Sequence, residues 1–399
     1  MLCGKLHCPI IVKARSLAKH SHVYNLEKLE GSSPPSVFVG RIGYPKVYIG
    51  PMLPPYHGDT TILDEPEAWI GRPIDEIVDF RYSLIRGKTA VNINEPQRSG
   101  RLLDLLQEVA MSTRSVDSEA SFTHKPRDNL SVDDISQPFG PSAPLKSFRA
   151  SAGSADRNIE RCFYDHSLKA NQAALDLHRR GVPVSKIQRS FCLGMFGELP
   201  RRKLVPTRWG ITAVDNSISL SLLREVKQYE PLDSYRTYFF KNLDNIFLAV
   251  FMPGRWSFEW IEAWFPGTVW NSNGVSPQLM GDYEGSKERT TYAEVGGCYY
   301  SARLAAAEKL VSEQHQASVL ILREIHKGYI MPVGVWNVRE SVRAALGTKP
   351  KEFNSLQETL NYAMSKLTIP LNRWIQNSQT LQETLLQRRI TDFLGADKK

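Results

Sequence analysis

Ala317-Ser-Val-Leu-Ile-Leu-Arg-Glu-Ile325 is the stretch on which the fold class turns. Its aliphatic run is short and is closed by the turn signal His326-Lys327-Gly328, so it reads as a buried strand rather than a helix. Residues 299–314, just before it, carry a helical pattern, and residues 329–336, just after the turn, read as a second strand. Asn337 is placed to cap a short helix ending at Gly347. A further helix is expected over about 355–368, where Ser355-x-x-Glu358 forms a capping box, Leu356, Leu360, Ala363, Met364 and Leu367 share one face, and Pro370 blocks continuation. Helices and strands thus interleave, which predicts a mixed α/β or α+β class. The expected organisation is a large N-terminal domain over 31–284, a smaller C-terminal α+β unit over 285–375 and an extended, flexible tail over 376–399.

Working outward toward the N-terminus, residues 36–50 read as a hairpin. Val37 and Val39 are followed by a Gly43-Tyr44-Pro45 break and then by Val47 and Ile49. Gly50, Pro51, Pro54, Pro55 and Gly58 then shape a loop. Helical patterns recur near 74–86 and 101–111. Residues 112–157 are rich in Ser, Asp, Pro and Arg, and are expected to form an irregular excursion. A helix is predicted over 157–180, with Ile159, Cys162, Ala173 and Leu177 on its inner face, Asp156 as N-cap and Gly181-x-Pro183 as its stop. Residues 246–252 read as a buried strand. The aromatic segment 255–265 (Trp256, Phe258, Trp260, Trp264) is strand or short helix, since its period does not decide.

Bulk properties exclude several classes. Hydrophobic residues make up 42% and charged residues 23% of the 399 residues, which is ordinary for a globular chain. No apolar run approaches the ~18 residues that span a bilayer, and no signal peptide is read at the start. An intracellular, cytoplasmic and nucleoid-associated protein without a membrane partner is expected. Five scattered cysteines exclude a secreted disulfide framework.

Net charge is +8, and it is concentrated. From Arg179 to Arg208 there are eight cations and a single acid, Glu198. Within this stretch Arg201, Arg202, Lys203 and Arg208 are candidate phosphate contacts, held by a proline-stiffened loop, and Trp209 is a candidate base-stacking ring. A solvated surface with its charges spread apart is the alternative reading.

Four carboxylates are candidates for catalysis. Asp215 closes the apolar run Ile211–Val214, where a strand end would present it, and Asp282 and Glu284 are two apart. Asp165 sits between Arg161 and Lys169 at helical spacing, which is equally an ion ladder on a solvated face. If these carboxylates converge, they can hold Mg2+ or Mn2+ for phosphodiester cleavage. Cys3 and Cys8 are candidate zinc (Zn2+) ligands, with His7, His20 or His22 available to complete a set, although their spacing is not CxxC. No GxGxxG or P-loop motif is present.

The tail carries the sharpest motif. Gln387-Arg-Arg-Ile390-Thr-Asp-Phe393-Leu394 resembles the PCNA-interacting peptide, or PIP box. One tight helical turn places Ile390, Phe393 and Leu394 on one side to fill a pocket, with Gln387 free to hydrogen-bond its rim. Leu394 stands where many such motifs carry an aromatic.

With these segments in view, the chain resembles the archaeal Nre family of DNA repair proteins, most of all its NreA branch. The resemblance rests on Leu2-Cys-Gly-x-x-x-Cys8-Pro, Ile42-Gly-Tyr-Pro-Lys-Val-Tyr-Ile-Gly-Pro51, Arg202-Lys-Leu-Val-Pro-Thr-Arg-Trp209, Ile211-Thr-Ala-Val-Asp215, Trp264-Phe-Pro-Gly267, Asp282-Tyr-Glu-Gly285 and the terminal motif. It implies a DNA-damage role, clamp binding through the tail, and an N-terminal and a smaller C-terminal Nre domain. Many members look as if a CxxC pair precedes Leu-Cys-Gly. Here the chain begins at Met1-Leu2-Cys3, so residues 1–30 read as a degenerate or truncated zinc-finger segment. The expected function is a repair factor that binds DNA and is recruited by the PCNA sliding clamp, acting beside other repair factors. The alternatives are a metal-dependent nuclease acting on repair intermediates, and a nucleotide-binding enzyme or sensor.

Overall fold

Exposed Lys46 and Tyr48 alternate with buried Val47 and Ile49, as a strand with one covered face requires. The computed structural model describes residues 8–21, 26–98, 100–127 and 138–386. The described residues fall into two compact units, one within positions 1–221 together with Ile330–Glu340, the other within Leu222–Tyr329 together with positions 341–399. The class is mixed α/β, with the larger unit N-terminal and the smaller C-terminal.

The first unit opens with α1 (Pro9–Lys19) and contains a six-stranded sheet. Its strands are β1 (Lys28–Ser33), β2 (Val37–Val39), β3 (Lys46–Leu53), β4 (Ile85–Asn92), β5 (Val116–Phe122) and β6 (Ser142–Ala150), in the order β1-β5-β6-β4-β3-β2. Neighbours are antiparallel except β4 and β6. Helices α2 (Ile74–Ser83) and α3 (Arg101–Met111) lie within its connections, and α4 (Arg157–Tyr164), α5 (Ala170–Arg179), α6 (Val184–Cys192) and α7 (Thr207–Val226) follow.

Three expectations are corrected here. The stretch 112–157 is not simply irregular, because it holds β5 and β6. The inward residues of β5 are Val116, Ser118, Ala120 and Phe122, and two of these lack the bulk that makes alternation legible. The helix expected over 157–180 is two helices. Asp156 caps the first as expected, accepting from the amides of Asn158 and Ile159. Asp165 then accepts from the Ser167 and Leu168 amides and the Ser167 hydroxyl, and this local turn replaces the helical ladder. Finally, Ile211–Val214 is not a strand end but part of α7. Burial there recurs at Val214 and Asp215, Ile218 and Ser219, Leu222 and Leu223, then Val226, which is helical spacing.

The second unit contains β7 (Glu230–Pro231), β8 (Tyr235–Asn242), β9 (Asn245–Met252), β10 (Ser257–Trp264), β11 (Gln278–Glu284), β12 (His315–Gln316), β13 (Ser318–Ile325) and β14 (Lys351–Phe353). Six of them form a sheet in the order β11-β10-β13-β9-β8-β14, and β12 pairs with β7. The segment 255–265 is therefore strand, and 317–325 is the buried strand expected. The helices are α8 (Gly297–Glu313), α9 (Trp336–Leu346, whose residues up to Glu340 belong to the first unit), α10 (Leu356–Met364), α11 (Leu371–Asn377) and α12 (Gln379–Leu386). Ser355 caps α10 through the Glu358 amide, as its sequence predicts.

β8–β11 share one sheet with β13 and β14, so this sheet draws strands from both sides of position 284. Residues 329–336 are not a strand. Pro332 offers no backbone donor and Gly334 has φ 118°, so the segment runs irregularly with Tyr329, Ile330, Met331 and Val333 buried. One sheet face packs Leu248, Val250, Ile261, Leu320 and Leu322 against Leu360, Trp374 and Leu381 of α10–α12. The start of the expected extended tail is accordingly helical. Buried Glu259 accepts from the Ser378 hydroxyl and from the Gln379 and Thr380 amides, satisfying first-turn donors of α12. The motif Gln387–Leu394 lies outside the described residues.

Candidate nucleic-acid interface

The run Arg201-Arg-Lys-Leu204 alternates in exposure: Arg201 and Lys203 face solvent, Arg202 and Leu204 are buried. Its three successive cations therefore do not act together. The Arg202 guanidinium donates to the carbonyls of Gly197 (2.8 Å) and Phe163 (2.7 Å) and lies over the Phe163 ring. Arg202, expected at a phosphate, is a structural cation.

Backbone hydrogen bonds lash this run to the β2–β3 hairpin. The Leu204 amide donates to Ile93 O (2.7 Å), and the Ile93 amide donates to Pro45 O (3.0 Å). The Val39 amide donates to the Thr207 hydroxyl at the start of α7 (3.1 Å). The hairpin turn thus stands beside the first turn of α7. Tyr44 and Trp209 meet there edge to face, with ring centroids 5.3 Å apart, and each stays about half exposed (51% and 47%). Ile42 at the turn is 78% exposed.

Several cations flank these rings in the sequence. Arg41, Lys46, Lys203 and Arg208 are exposed, and none forms an ion pair among the described residues. Neither 37–58 nor 84–94 contains a carboxylate. Arg201 meets Glu198 at 3.2 Å with its side chain 80% exposed, a contact of little energetic weight. Half-buried Lys88 of β4 has its pKa lowered, first by burial and then by the Arg86 guanidinium. Such a surface can bind phosphates through its cations and bases through its rings.

Other cations of the 179–208 stretch turn inward or pair locally. Lys186 meets Asp156 at 3.2 Å, Arg189 meets Asp64 at 3.0 Å and Arg180 meets Asp176 at 3.1 Å. The sequence concentration of charge overstates what reaches the surface.

The candidate carboxylates are engaged elsewhere. Asp215 is fully buried, bonded to Gln188 (2.8 Å) and to Arg339. Asp282 pairs with Arg289 (2.8 Å) and accepts from the Val295 amide. Glu284 pairs with Arg303 (2.7 Å) and accepts from the Trp256 indole. Asp165 is exposed, and hydrogen bonds from Ser167 hold its carboxyl below the ordinary range. Among the described residues, no group of three or more His, Cys, Asp or Glu side chains is placed to hold a metal ion. Of the zinc candidates, Cys8 is buried at the N-cap of α1, and Cys3 lies outside the described residues.

Comparison with known proteins places the chain. The family described as archaeal Nre, N-terminal, matches residues 2–271, and that described as archaeal Nre, C-terminal, matches residues 284–393. The chain belongs to the archaeal Nre family. The DNA repair protein NreB of Archaeoglobus fulgidus is 42% identical over 395 residues, covering 99% of this chain and 98% of that protein. The DNA repair protein NreA of the same organism is 32% identical, covering 99% and 97%. The NreA of Haloferax volcanii is 36% identical, covering 92% and 89%. No solved structure matches.

Sequence reasoning on this Nre chain singled out Lys203, Arg208 and Trp209 but missed Arg41, Ile42, Tyr44 and Lys46. The available signal was a turn with cations at both ends inside an acid-free stretch.

Proposed function

We propose that this Nre-family chain is a DNA repair factor. It holds DNA phosphates on the surface made by the Arg41–Lys46 turn, Lys203 and Arg208, and a PCNA sliding clamp recruits it through Gln387, Ile390, Phe393 and Leu394. The observation that carries the DNA reading is the cluster of four exposed cations without acidic partners around the Tyr44–Trp209 pair. The full-length relatives, named as DNA repair proteins, support the same role. The tail motif supports the clamp reading by its spacing of apolar anchors, and α12 ends at Leu386, immediately before it. Tethering to a clamp raises the local concentration of DNA, so a modest intrinsic affinity suffices. Among the described residues, no helix is long and apolar enough to cross a membrane. The test is DNA affinity as a function of salt in the parent chain and in a Lys203→Glu, Arg208→Glu variant. Unchanged affinity and salt slope in the variant would remove this surface from the proposal.

A further inference from the structure

The proposed DNA contact leaves unexplained why large apolar side chains stand among the cations. Phosphate binding needs charge alone. Yet Ile42 is 78% exposed, and Tyr44 and Trp209 keep half their surface in water when a buried position would stabilise the fold. Their setting is held firmly. The bonds Ile93–Pro45, Leu204–Ile93 and Val39–Thr207 fix the two rings' backbones on separate elements, so the rings are presented at little further cost in ordering.

In a paired duplex the base faces are covered by their neighbours, and an aromatic ring reaches them only by unstacking a base step, which costs energy. Unpaired bases offer open faces, which aromatic rings stack on whatever the sequence, while nearby cations follow the phosphates. Lys88 adds an independent observation. Strand alternation places it on the same face of β4 as Ala90 and Asn92, and these pair with Tyr48 and Lys46 of β3. It is half-buried beside Arg86 and has no carboxylate partner among the described residues. An anion laid along this face would offset that cost. The face therefore offers a phosphate contact beyond the turn, continuous with the exposed Tyr48 and Lys46.

We propose that this surface selects DNA with unpaired bases, stacking them on Trp209 and Tyr44 while Lys46 and Lys88 take the adjoining phosphates. The inference rests on the DNA-binding reading above and specifies its substrate class: single-stranded, gapped or otherwise unstacked DNA rather than uniform duplex.

The experiment is fluorescence anisotropy of the full chain with one labelled oligonucleotide presented as single strand, as gapped duplex and as continuous duplex. Circular dichroism checks that each variant is folded. Single-stranded and gapped forms are expected to bind more tightly than duplex. Trp209→Ala and Tyr44→Ala should each weaken single-strand binding by about tenfold, the loss of one stacked base, and weaken duplex binding by clearly less. Trp209→Phe should retain most of the affinity, and Lys88→Ala should weaken single-strand binding and reduce its salt dependence. Equal affinity for all three forms, or alanine variants that bind single strand like the parent, would overturn the inference. If Lys203→Glu with Arg208→Glu still weakens binding while the aromatic variants do not, stacking is wrong and the DNA interface stands. If the charge variant is also without effect, the interface itself is wrong.

Discussion

One guanidinium nitrogen of Arg339 lies 3.2 Å from each carboxylate oxygen of Asp215, and both side chains are removed from solvent. Arg339 also donates to Glu340 (2.9 Å) and stands 3.9 Å from Glu67. This joins chain positions far apart in sequence within the first unit. It turns the most suggestive carboxylate of the sequence into half of a buried ion pair.

Asp215→Asn is therefore expected to act on stability. Breaking one side of a buried pair leaves an uncompensated charge, and because Glu340 remains, the cost should be on the order of 3 kcal/mol. Urea denaturation of parent and variant measures it. A variant as stable as the parent that had lost a metal-dependent cleavage would return Asp215 to catalysis.

Exposed and buried cations of one loop should behave differently. Lys203→Glu with Arg208→Glu should weaken DNA binding at every sequence and lower the salt slope by roughly 2, about one per lost phosphate contact. Arg202→Ala should instead lower the melting temperature, because it frees the Gly197 and Phe163 carbonyls. Titration at several salt concentrations, paired with thermal melts, separates the two. Identical behaviour of exposed and buried positions would contradict the assigned geometry.

Asp64 predicts part of the acid sensitivity. Burial pushes its carboxyl up, but Arg81, Arg189 and the Ser36 hydroxyl outweigh this and leave it below its ordinary 3.8. A depressed pKa contributes stability that is fully present above the unfolded value and is lost as pH falls through the folded one. The parent should therefore lose stability steeply below about pH 4, and Asp64→Asn, though weaker at neutral pH, should show a flatter acid limb. Denaturation midpoints across that range measure both. Parallel acid limbs would exclude Asp64 as a contributor.

For the tail, Phe393→Ala should abolish PCNA binding and leave the melting temperature unchanged, since its apolar anchor is removed without touching the Glu259–α12 contact. Calorimetric titration with the clamp reads the first and a thermal melt the second. Retained affinity would place the clamp contact elsewhere.

Local structure was legible wherever period and punctuation agreed. The β2–β3 hairpin, β9, β13, the Asp156 cap and the Ser355 cap each depend on residues within a few positions of one another, so neighbours in sequence suffice to specify them. Reading failed where a distant or polar partner decided. The 157–180 periodicity continues through Asp165, yet its carboxylate captures the next amides and ends the helix. The apolar residues 329–336 resemble a strand but have no ladder to join.

The same distinction governs function. By itself the sequence determined the mixed class, the family kinship, the tail motif with its spaced anchors, and the positive excess, because these are properties of residue order and composition. Only the tertiary structure decided which charges serve the surface. It paired Asp215, Asp282 and Glu284 with arginines and folded Arg189 and Arg202 inward. It also brought the Tyr44 turn, more than 150 residues away in the chain, against Trp209. Whether an ionised group meets water or a buried counter-ion depends on the desolvation and Coulomb terms at its folded position, and residue order alone does not contain that position.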